Sequence, residues 1–241
     1  MKIALISDIH ANFEAFNAVL ADMQSFAIDK TVCLGDCIGY GPEPEAVMAE
    51  IRRRAIPTIM GNHELGVCSS GQLNWFNPLA RESIERTITM LSEASLAMIR
   101  HLPLFHLTDG FRCVHGYPPD SAKTYLFQIL PYQLIKTFKE MEENICFVGH
   151  THDLEIIHFD GLQVERQPLT EGQIALNAQL KYIINIGSVG QPRDGSNKAK
   201  YAIYDPNEGR LDIRYVAYDI AATAKKIKAA GLPEAHAKRL W

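Results

Sequence analysis

Short apolar runs recur along the chain, and each of them ends at small or polar residues. The run Ile145–Val148 has the length of a buried strand and leads into Gly149-His150-Thr151-His152. Five other runs lead into Ser7-Asp8-Ile9-His10, Gly35-Asp36, Gly61-Asn62-His63-Glu64, His115-Gly116 and Gly187-Ser188. Residues i and i+2 of an extended backbone project to the same side. The pattern therefore predicts six strand ends, with His150 and His152 facing one way.

Segments with helical periodicity separate the first of these runs. Apolar residues recur at helical spacing from Phe13 to Met23, and Asn12 is placed to cap that helix. The second run precedes the turn Gly39-Tyr40-Gly41-Pro42 and a helix with Pro44 in its first turn. This alternation predicts a parallel sheet covered by helices on both faces. Ligands bind such sheets beyond the carboxyl ends of the strands, where the polar residues fall.

The remainder of the chain is predicted to add further helices and hairpins to a single domain, residues 1–241. Residues 65–78 have a loop composition, and 65–101 could flank an active site. The pair Trp75-Phe76 either lines a substrate site or anchors the loop. The other predicted elements are a long helix from Leu79 to about Arg100, hairpin turns at Asp109-Gly110 and Asp160-Gly161, a helix from Pro131 to Met141, strands over Tyr201–Tyr204 and Leu211–Tyr218, and a helix over Ile220–Trp241.

Charge and composition restrict the classes of partner. The formal net charge is −4 in 241 residues, which argues against general nucleic-acid binding but allows a small phosphorylated substrate. No apolar run is long enough to span a membrane, and Asp8 comes too early for a signal peptide. The five cysteines are odd in number and lack a CxxC spacing, so we expect reduced thiols. We therefore expect a cytoplasmic protein; the sequence does not predict its oligomeric state.

The polar strand ends together contain a set of metal-ligating residue types. Carboxylates and an amide mixed with imidazoles suit Mn, Fe or Zn, with Mn favoured here. The set is too large for one tetrahedral ion, and two ions about 3.5–4 Å apart that share a carboxylate would use all of it. The candidate ligands are Asp8, His10, Asp36, Asn62, His115, His150 and His152, with His63 beside them.

These motifs, in this order, resemble the calcineurin-like metallophosphoesterase family. The resemblance extends from Met1 to beyond the segment ending at Arg193. It implies an α/β fold with four layers, an α/β/β/α double β-sandwich. It also implies that one metal is held by Asp8, His10, Asp36 and His152, and the other by Asp36, Asn62, His115 and His150.

The same resemblance implies the chemistry of the site. A hydroxide bridging the two metals would attack the phosphorus, and His63 would protonate the leaving oxygen. Tyr40 is a candidate for substrate binding, and Arg193 either reaches the phosphate or is a surface loop residue. Glu64 is interpreted as supporting His63 or its loop. Outside the motifs, we interpret His101, His106, His158 and His236 as structural.

The residues after Asp36 narrow the expected function. Protein phosphatases of this family follow the bridging aspartate with an acidic residue and an arginine, whereas this chain has Cys37-Ile38-Gly39-Tyr40. The sequence instead resembles the small bacterial and archaeal phosphodiesterase branch. We expect a phosphodiesterase; the alternatives are a phosphomonoesterase, a dinucleoside polyphosphate hydrolase and a non-catalytic scaffold. A nuclease subunit would need a basic groove, which the sequence does not predict.

Overall fold

Two β-sheets pack face to face, and helices cover their outer surfaces. The computed structural model describes residues 1–108 and 110–241. The first sheet has the strand order β2-β1-β10-β11-β8, formed by β1 (Ile3–Ile6), β2 (Lys30–Cys33), β8 (Gly172–Ala175), β10 (Ala199–Asp205) and β11 (Arg210–Val216). The second has the order β3-β4-β5-β9-β6-β7, formed by β3 (Phe105–Thr108), β4 (Phe111–Val114), β5 (Ile145–Val148), β6 (Leu154–Phe159), β7 (Val164–Pro168) and β9 (Lys181–Ile186).

The helices of the described residues flank the two sheets. None of them is long and apolar enough to cross a lipid bilayer. Asn12 caps the first helix by accepting a hydrogen bond from the amide of Ala15, as predicted. In chain order they are α1 (Phe13–Met23), α2 (Pro44–Arg53), α3 (Asn62–Cys68), α4 (Ser70–Leu73), α5 (Pro78–Met90), α6 (Glu93–Arg100), α7 (Pro131–Glu140), α8 (Ile220–Ala229) and α9 (Glu234–Lys238).

Alternation along the strands divides the core into layers. In β1, Ile3 and Leu5 pack between the sheets, whereas Ala4 and Ile6 face the helices α1 and α2. In the second sheet, Phe147 lies between the sheets, and its neighbours in β5 pack against α7. The predicted four-layer α/β/β/α fold is thus confirmed.

The prediction of a parallel sheet with helices on both faces is confirmed only for the pairing of β1 with β2, because both sheets are mixed and each has helices on one face. Strands β1 and β2 are parallel, as are β4, β5 and β9, but the remaining pairs are antiparallel. The alternation of strands and helices in the first 60 residues reflects only the parallel pairing of β1 with β2. The late strand β10 then inserts beside β1 and makes the sheet mixed.

Three local predictions differ from the structure, and one strand was not predicted. The helix predicted over 79–100 is two helices, because Leu91 and Ser92 are extended and Ser92 caps α6. The C-terminal helix is also divided, at Gly231 and Pro233, and most of segment 65–78 is helical rather than loop. The strand β8 was not predicted. The Asp160-Gly161 hairpin is confirmed, whereas Asp109 of the other predicted turn lies outside the described residues.

Candidate metal centre

The candidate ligands come together where the carboxyl ends of parallel strands from both sheets meet. Asp8 and His10 follow β1, Asp36 follows β2, His115 follows β4, and His150 and His152 follow β5. All of these side chains and Asn62 are buried. Their ligand atoms lie within 4.8 Å of one another in two groups, Asp8 with His10 and His152, and Asp36 with His115 and His150; a third such group joins His63 to His10 and Asp36.

Several of these residues have a left-handed backbone, which is rare for residues with a side chain. The φ angles are 53° at Asp8, 48° at His10, 50° at Asp36, 69° at His150 and 65° at His152. Such conformations cost on the order of 1–3 kcal/mol each and cluster at functional sites. The premise that His150 and His152 extend a strand is therefore wrong. The chain turns sharply there, and the two side chains enter different groups.

Backbone carbonyls fix the orientation of the first pair of imidazoles. His10 Nδ1 donates to Ile38 O at 3.2 Å, and His152 Nδ1 donates to Gln191 O at 2.5 Å. Neutral imidazoles with a proton on Nδ1 have a lone pair on Nε2. The two Nε2 atoms lie only 3.0 Å apart, a separation that favours a proton or a cation between them.

Backbone carbonyls also orient the second pair of imidazoles, through Nδ1 in His115 and through Nε2 in His150. His115 Nδ1 donates to Leu34 O at 2.7 Å, which leaves Nε2 facing Asn62 Oδ1 at 3.1 Å. His150 donates Nε2 to Lys123 O at 3.1 Å, which leaves Nδ1 for the centre. Such carbonyl partners typically fix the tautomer of metal-ligating histidines.

Each aspartate uses one oxygen for the backbone and turns the other toward the imidazoles. Asp8 Oδ2 accepts hydrogen bonds from Ser7 Oγ at 2.6 Å and His150 N at 3.0 Å. Within the described part of the chain, its Oδ1 has no hydrogen bond of good geometry, although His152 Nε2 is 3.2 Å away. Asp36 Oδ1 accepts from His63 N at 2.9 Å, and its Oδ2 lies 3.3 Å from His115 Nε2 and 3.8 Å from His10 Nε2. Asp36 therefore adjoins both groups.

The carboxyl groups and imidazoles of the cluster shift one another's pKa values. Burial raises the pKa of the Asp8 and Asp36 carboxyls, but the surrounding histidines outweigh it and lower both pKa values. Burial lowers the pKa of His150 to about 3 and of His152 to about 4, so both are neutral at pH 7. Burial also lowers the pKa of His115, but the Asp36 and Asp8 carboxylates outweigh it and raise that pKa to about 10, so a cation would displace a proton there. Two carboxylates, an amide oxygen and imidazoles that give up this proton on ligation fit two borderline divalent cations.

His63 lies beside the cluster in a tightly packed position. Its ring centroid is 4.5 Å from that of Tyr40 and 5.4 Å from that of Phe76, and its Nε2 is 3.9 Å from Asp36 Oδ2. No described residue hydrogen bonds to its Nδ1. That atom faces Gly39, where a Cβ would lie only 2.0 Å away. Burial lowers the pKa of His63 well below its usual value, although Asp36 opposes the shift.

Glu64 is buried and binds the backbone rather than the His63 side chain. The amides of Asp36, Cys37 and Gly61 donate to its carboxylate at 2.8–2.9 Å. Burial, with the Asp36 charge second, raises the pKa of Glu64 to about 7. Glu64 thereby joins the end of β2 to the start of α3, so it supports the loop as interpreted from the sequence.

The two candidate substrate residues lie at the edge of the centre. The ring of Tyr40 is 4.6 Å from that of His10, and burial raises its pKa to about 12, so the phenol stays protonated. Arg193 N donates to His152 O at 3.3 Å, and its exposed guanidinium donates to Gln191 Oε1 at 3.1 Å. Arg193 also lines a cavity of about 410 Å³ with Arg239 and Trp241.

Sequence reasoning missed several residues that shape the centre. The carbonyls of Ile38, Leu34, Lys123 and Gln191 orient the imidazoles, but a carbonyl has no side-chain signature in a sequence. Asn185 donates from Nδ2 to Gly149 O at 2.7 Å and to Thr151 Oγ1 at 2.8 Å, which supports the turn before His152. Its position inside the apolar run of β9 was a detectable signal, since a buried amide needs partners.

Comparison with known proteins agrees with this geometry. Residues 1–209 match the model of the calcineurin-like phosphoesterase superfamily domain. A protein of Methanocaldococcus jannaschii described as uncharacterized is 36% identical over 241 residues, which cover 99% of this chain and 97% of that protein.

Two solved structures are similar over the whole chain. A metallophosphoesterase from Sphaerobacter thermophilus superposes with a TM-score of 0.85 at 34% identity, covering 100% of this chain and 98% of that one. A hypothetical protein from Pyrococcus horikoshii has the same fold, with a TM-score of 0.78 at 20% identity and coverage of 100% and 97%. This chain, with its buried cluster of histidines and aspartates, belongs to the calcineurin-like phosphoesterase superfamily.

Proposed function

We propose that this protein hydrolyses a small phosphodiester at a centre of two divalent cations, with Mn favoured, in the cytoplasm. The observation that carries the proposal is the 3.0 Å approach of His10 Nε2 to His152 Nε2 beside two buried carboxylates. This donor arrangement is stable when cations neutralise it. The net charge of −4 favours a small substrate over a nucleic acid.

The ligands divide into two sets around Asp36. Asp8, His10, Asp36 and His152 would hold one cation, and Asp36, Asn62, His115 and His150 the other. When bound, the cations supply positive charge that attracts the phosphoryl group and stabilises its transition state. The protein contributes burial, which excludes water and strengthens these interactions.

His63 is proposed to give its Nε2 proton to the leaving oxygen. The imidazole is neutral in the structure because burial lowers its pKa. The negative charge of a phosphoester bound next to the ring would raise that pKa toward the protonated form. The Tyr40 phenol, 4.5 Å away between ring centroids, is a neutral donor for a phosphate oxygen.

The experiment compares bis(p-nitrophenyl) phosphate with p-nitrophenyl phosphate as substrates of the Mn-loaded protein. We expect turnover of both, with a higher kcat/KM for the diester. The variant His63→Ala should keep its metal content and lose activity by roughly 10²- to 10⁴-fold, as is typical for removal of a general acid. Asp36→Asn serves as the control for contaminating phosphatases. Lack of turnover with every divalent metal would refute the proposed activity, and full activity of His63→Ala would refute the role of His63.

A further inference from the structure

We propose that a cavity beside the metal centre, which we call the aromatic pocket, binds a planar aromatic ring attached to the substrate's phosphate. This inference deepens the proposed function and rests on it. The aromatic pocket has a volume of about 360 Å³ and is lined by Tyr40, Asn62, Trp75, Phe76, Asn77, Ala80, Lys123, Tyr125 and Gln128.

The aromatic pocket adjoins the centre through Asn62 and Tyr40. Asn62, one of its lining residues, places Oδ1 3.1 Å from His115 Nε2. Tyr40, another, contacts both His10 and His63 through its ring. A phosphate held at the centre would therefore project one of its ester groups into this space. The volume lies near the lower end of small-molecule sites, roughly 300–1,000 Å³, so it suits one ring system rather than a polymer.

One wall of the pocket is held against a candidate ligand. The ring of Tyr125 stacks on that of His150, with centroids 3.9 Å apart and planes at 18°. The backbone of the same loop accepts the His150 Nε2 hydrogen bond through Lys123 O. The loop of residues 117–130 is therefore positioned by the centre, and the Tyr125 ring has a defined place when the ligands are assembled.

Trp75 also lines the pocket and is partly exposed. Its ring is nearly parallel to that of Tyr125, at 18° and 6.0 Å between centroids, and the residue is 41% exposed. Phe76 differs, since it packs edge-on against His63. The two interpretations of this pair thus separate. Phe76 anchors the segment, whereas Trp75, whose ring centroid is 6.0 Å from that of Tyr125 and 6.2 Å from that of His150, stays partly exposed at the pocket.

Charge in the pocket also selects the ligand. Lys123 is the only charged residue among those described as lining it, and no carboxylate does so. Its Nζ contacts Gln72 Oε1 and lies 5.6 Å from the centroid of the Trp75 ring. A ligand with a flat ring and an anionic phosphate would match both features. An aliphatic ester would leave the Trp75 face in water.

The test compares ligands that differ in one ring and lack a hydrolysable ester. Calorimetry would measure the binding of phenylphosphonate and ethylphosphonate to the Mn-loaded protein. We expect phenylphosphonate to bind roughly tenfold tighter, the lower part of the range for stacking on an aromatic side chain. The phosphonate analogues of adenosine monophosphate and ribose 5-phosphate, in which a CH₂ group replaces the ester oxygen, form a second pair, which shows whether the pocket accepts a nucleobase or only a simple aryl group.

Variants assign the effect to the pocket. Trp75→Ala should abolish the preference for phenylphosphonate and leave the affinity for ethylphosphonate within about threefold of wild type. Trp75→Leu, which keeps an apolar side chain, should reduce the preference for phenylphosphonate without abolishing it. Trp241→Ala is the matched control, because it removes the chain's other tryptophan from outside the pocket. In a Trp241→Phe background, the fluorescence of Trp75 should respond to phenylphosphonate.

The outcomes separate this inference from the proposed function. Equal binding of both phosphonates, or a preference that survives both Trp75 variants, would refute the aromatic pocket and leave the phosphodiesterase proposal intact. Absence of binding by either phosphonate would refute the aromatic pocket as a ligand site, and turnover of bis(p-nitrophenyl) phosphate would then decide the proposed function separately. Because binding is measured without turnover, an inactive but ligand-selective protein would refute only the proposed catalysis.

Discussion

At the scale of single residues, Gly39 controls the position of His63. The glycine has a φ of +82°, and a Cβ there would lie 2.0 Å from His63 Nδ1. We predict that Gly39→Ala displaces the His63 ring and lowers kcat by at least tenfold, while the bound metal is retained. Kinetics and metal analysis of the purified variant test this.

The control for this substitution is Gly161→Ala. Gly161 also has a positive φ, +100°, but a Cβ at this position would have no other atom within 4 Å. This variant should be destabilised by about 1 kcal/mol and keep its activity. Equal losses of activity in both variants would mean that backbone strain, rather than contact with His63, explains the effect.

His236 is a buried residue whose protonation should affect stability. Burial, with Arg239 and His10 next, lowers its pKa to about 4, and its ring lies 4.7 Å from that of Tyr40. The unfolded chain binds this proton below a pH of about 6.5. Stability from the neutral ring is thus present above pH 6.5 and is lost as the pH falls toward 4.

The variant His236→Phe keeps a ring but cannot titrate. We predict that wild type loses on the order of 1–2 kcal/mol more than this variant between pH 6.5 and 4, allowing for solvent screening. Urea denaturation at several pH values measures the difference. Parallel pH profiles for the two proteins would contradict the prediction.

The candidate ligands could be identified from the sequence because their residue types and spacing are distinctive. What the spacing could not show is which nitrogen of each imidazole faces the centre. That choice depends on carbonyls of residues such as Ile38 and Gln191, which become neighbours only in the folded chain. His150 differs from the others for this reason, since Lys123 O accepts its Nε2 proton.

At the scale of elements, Glu64 connects a strand to a helix. It accepts three backbone hydrogen bonds, two from Asp36 and Cys37 in the loop after β2 and one from Gly61 before α3. In Glu64→Gln, the amide group would present N–H donors to backbone N–H donors. We predict a loss of about 1–3 kcal/mol of stability and weaker metal binding. Denaturation and metal titration, with the exposed Glu82→Gln as control, test this. A variant as stable as the control would contradict it.

Helices were predicted well where a cap or proline starts them and less well where extended residues interrupt them. Asn12 and Pro44 correctly indicated α1 and α2. Ser92 begins a new helix within a continuous apolar pattern, and periodicity alone does not reveal such a break. The short strand β8 carries few large apolar residues, so its pairing with β11 was not predictable from its own sequence.

At the scale of the whole molecule, the candidate centre joins the two sheets. Asp8, His10 and Asp36 follow strands of one sheet, and His115, His150 and His152 follow strands of the other. Bound cations would therefore cross-link the layers of the sandwich. We predict that two Mn²⁺ ions, each at about 100 times its Kd, stabilise the protein by about 5.4 kcal/mol, or about 2.7 kcal/mol per site, which raises Tm by about 11–22 °C.

Thermal melts with excess chelator and after addition of Mn²⁺ measure this stabilisation. Asp36→Asn, in which the carboxylate adjoining both groups is lost, should show a much smaller shift. An identical Tm with and without metal would show that the cluster does not bind cations in the folded state.

The position of β10 in the first sheet has a consequence for synthesis on the ribosome. Strand β1, which precedes Asp8 and His10, pairs on one side with β2 and on the other with residues 202–204 of β10. Until β10 has left the exit tunnel, β1 is an edge strand, and the turn that carries Asp8 and His10 still lacks the support of β10. The nascent chain should therefore acquire metal only after residues 199–205 of β10 have left the tunnel.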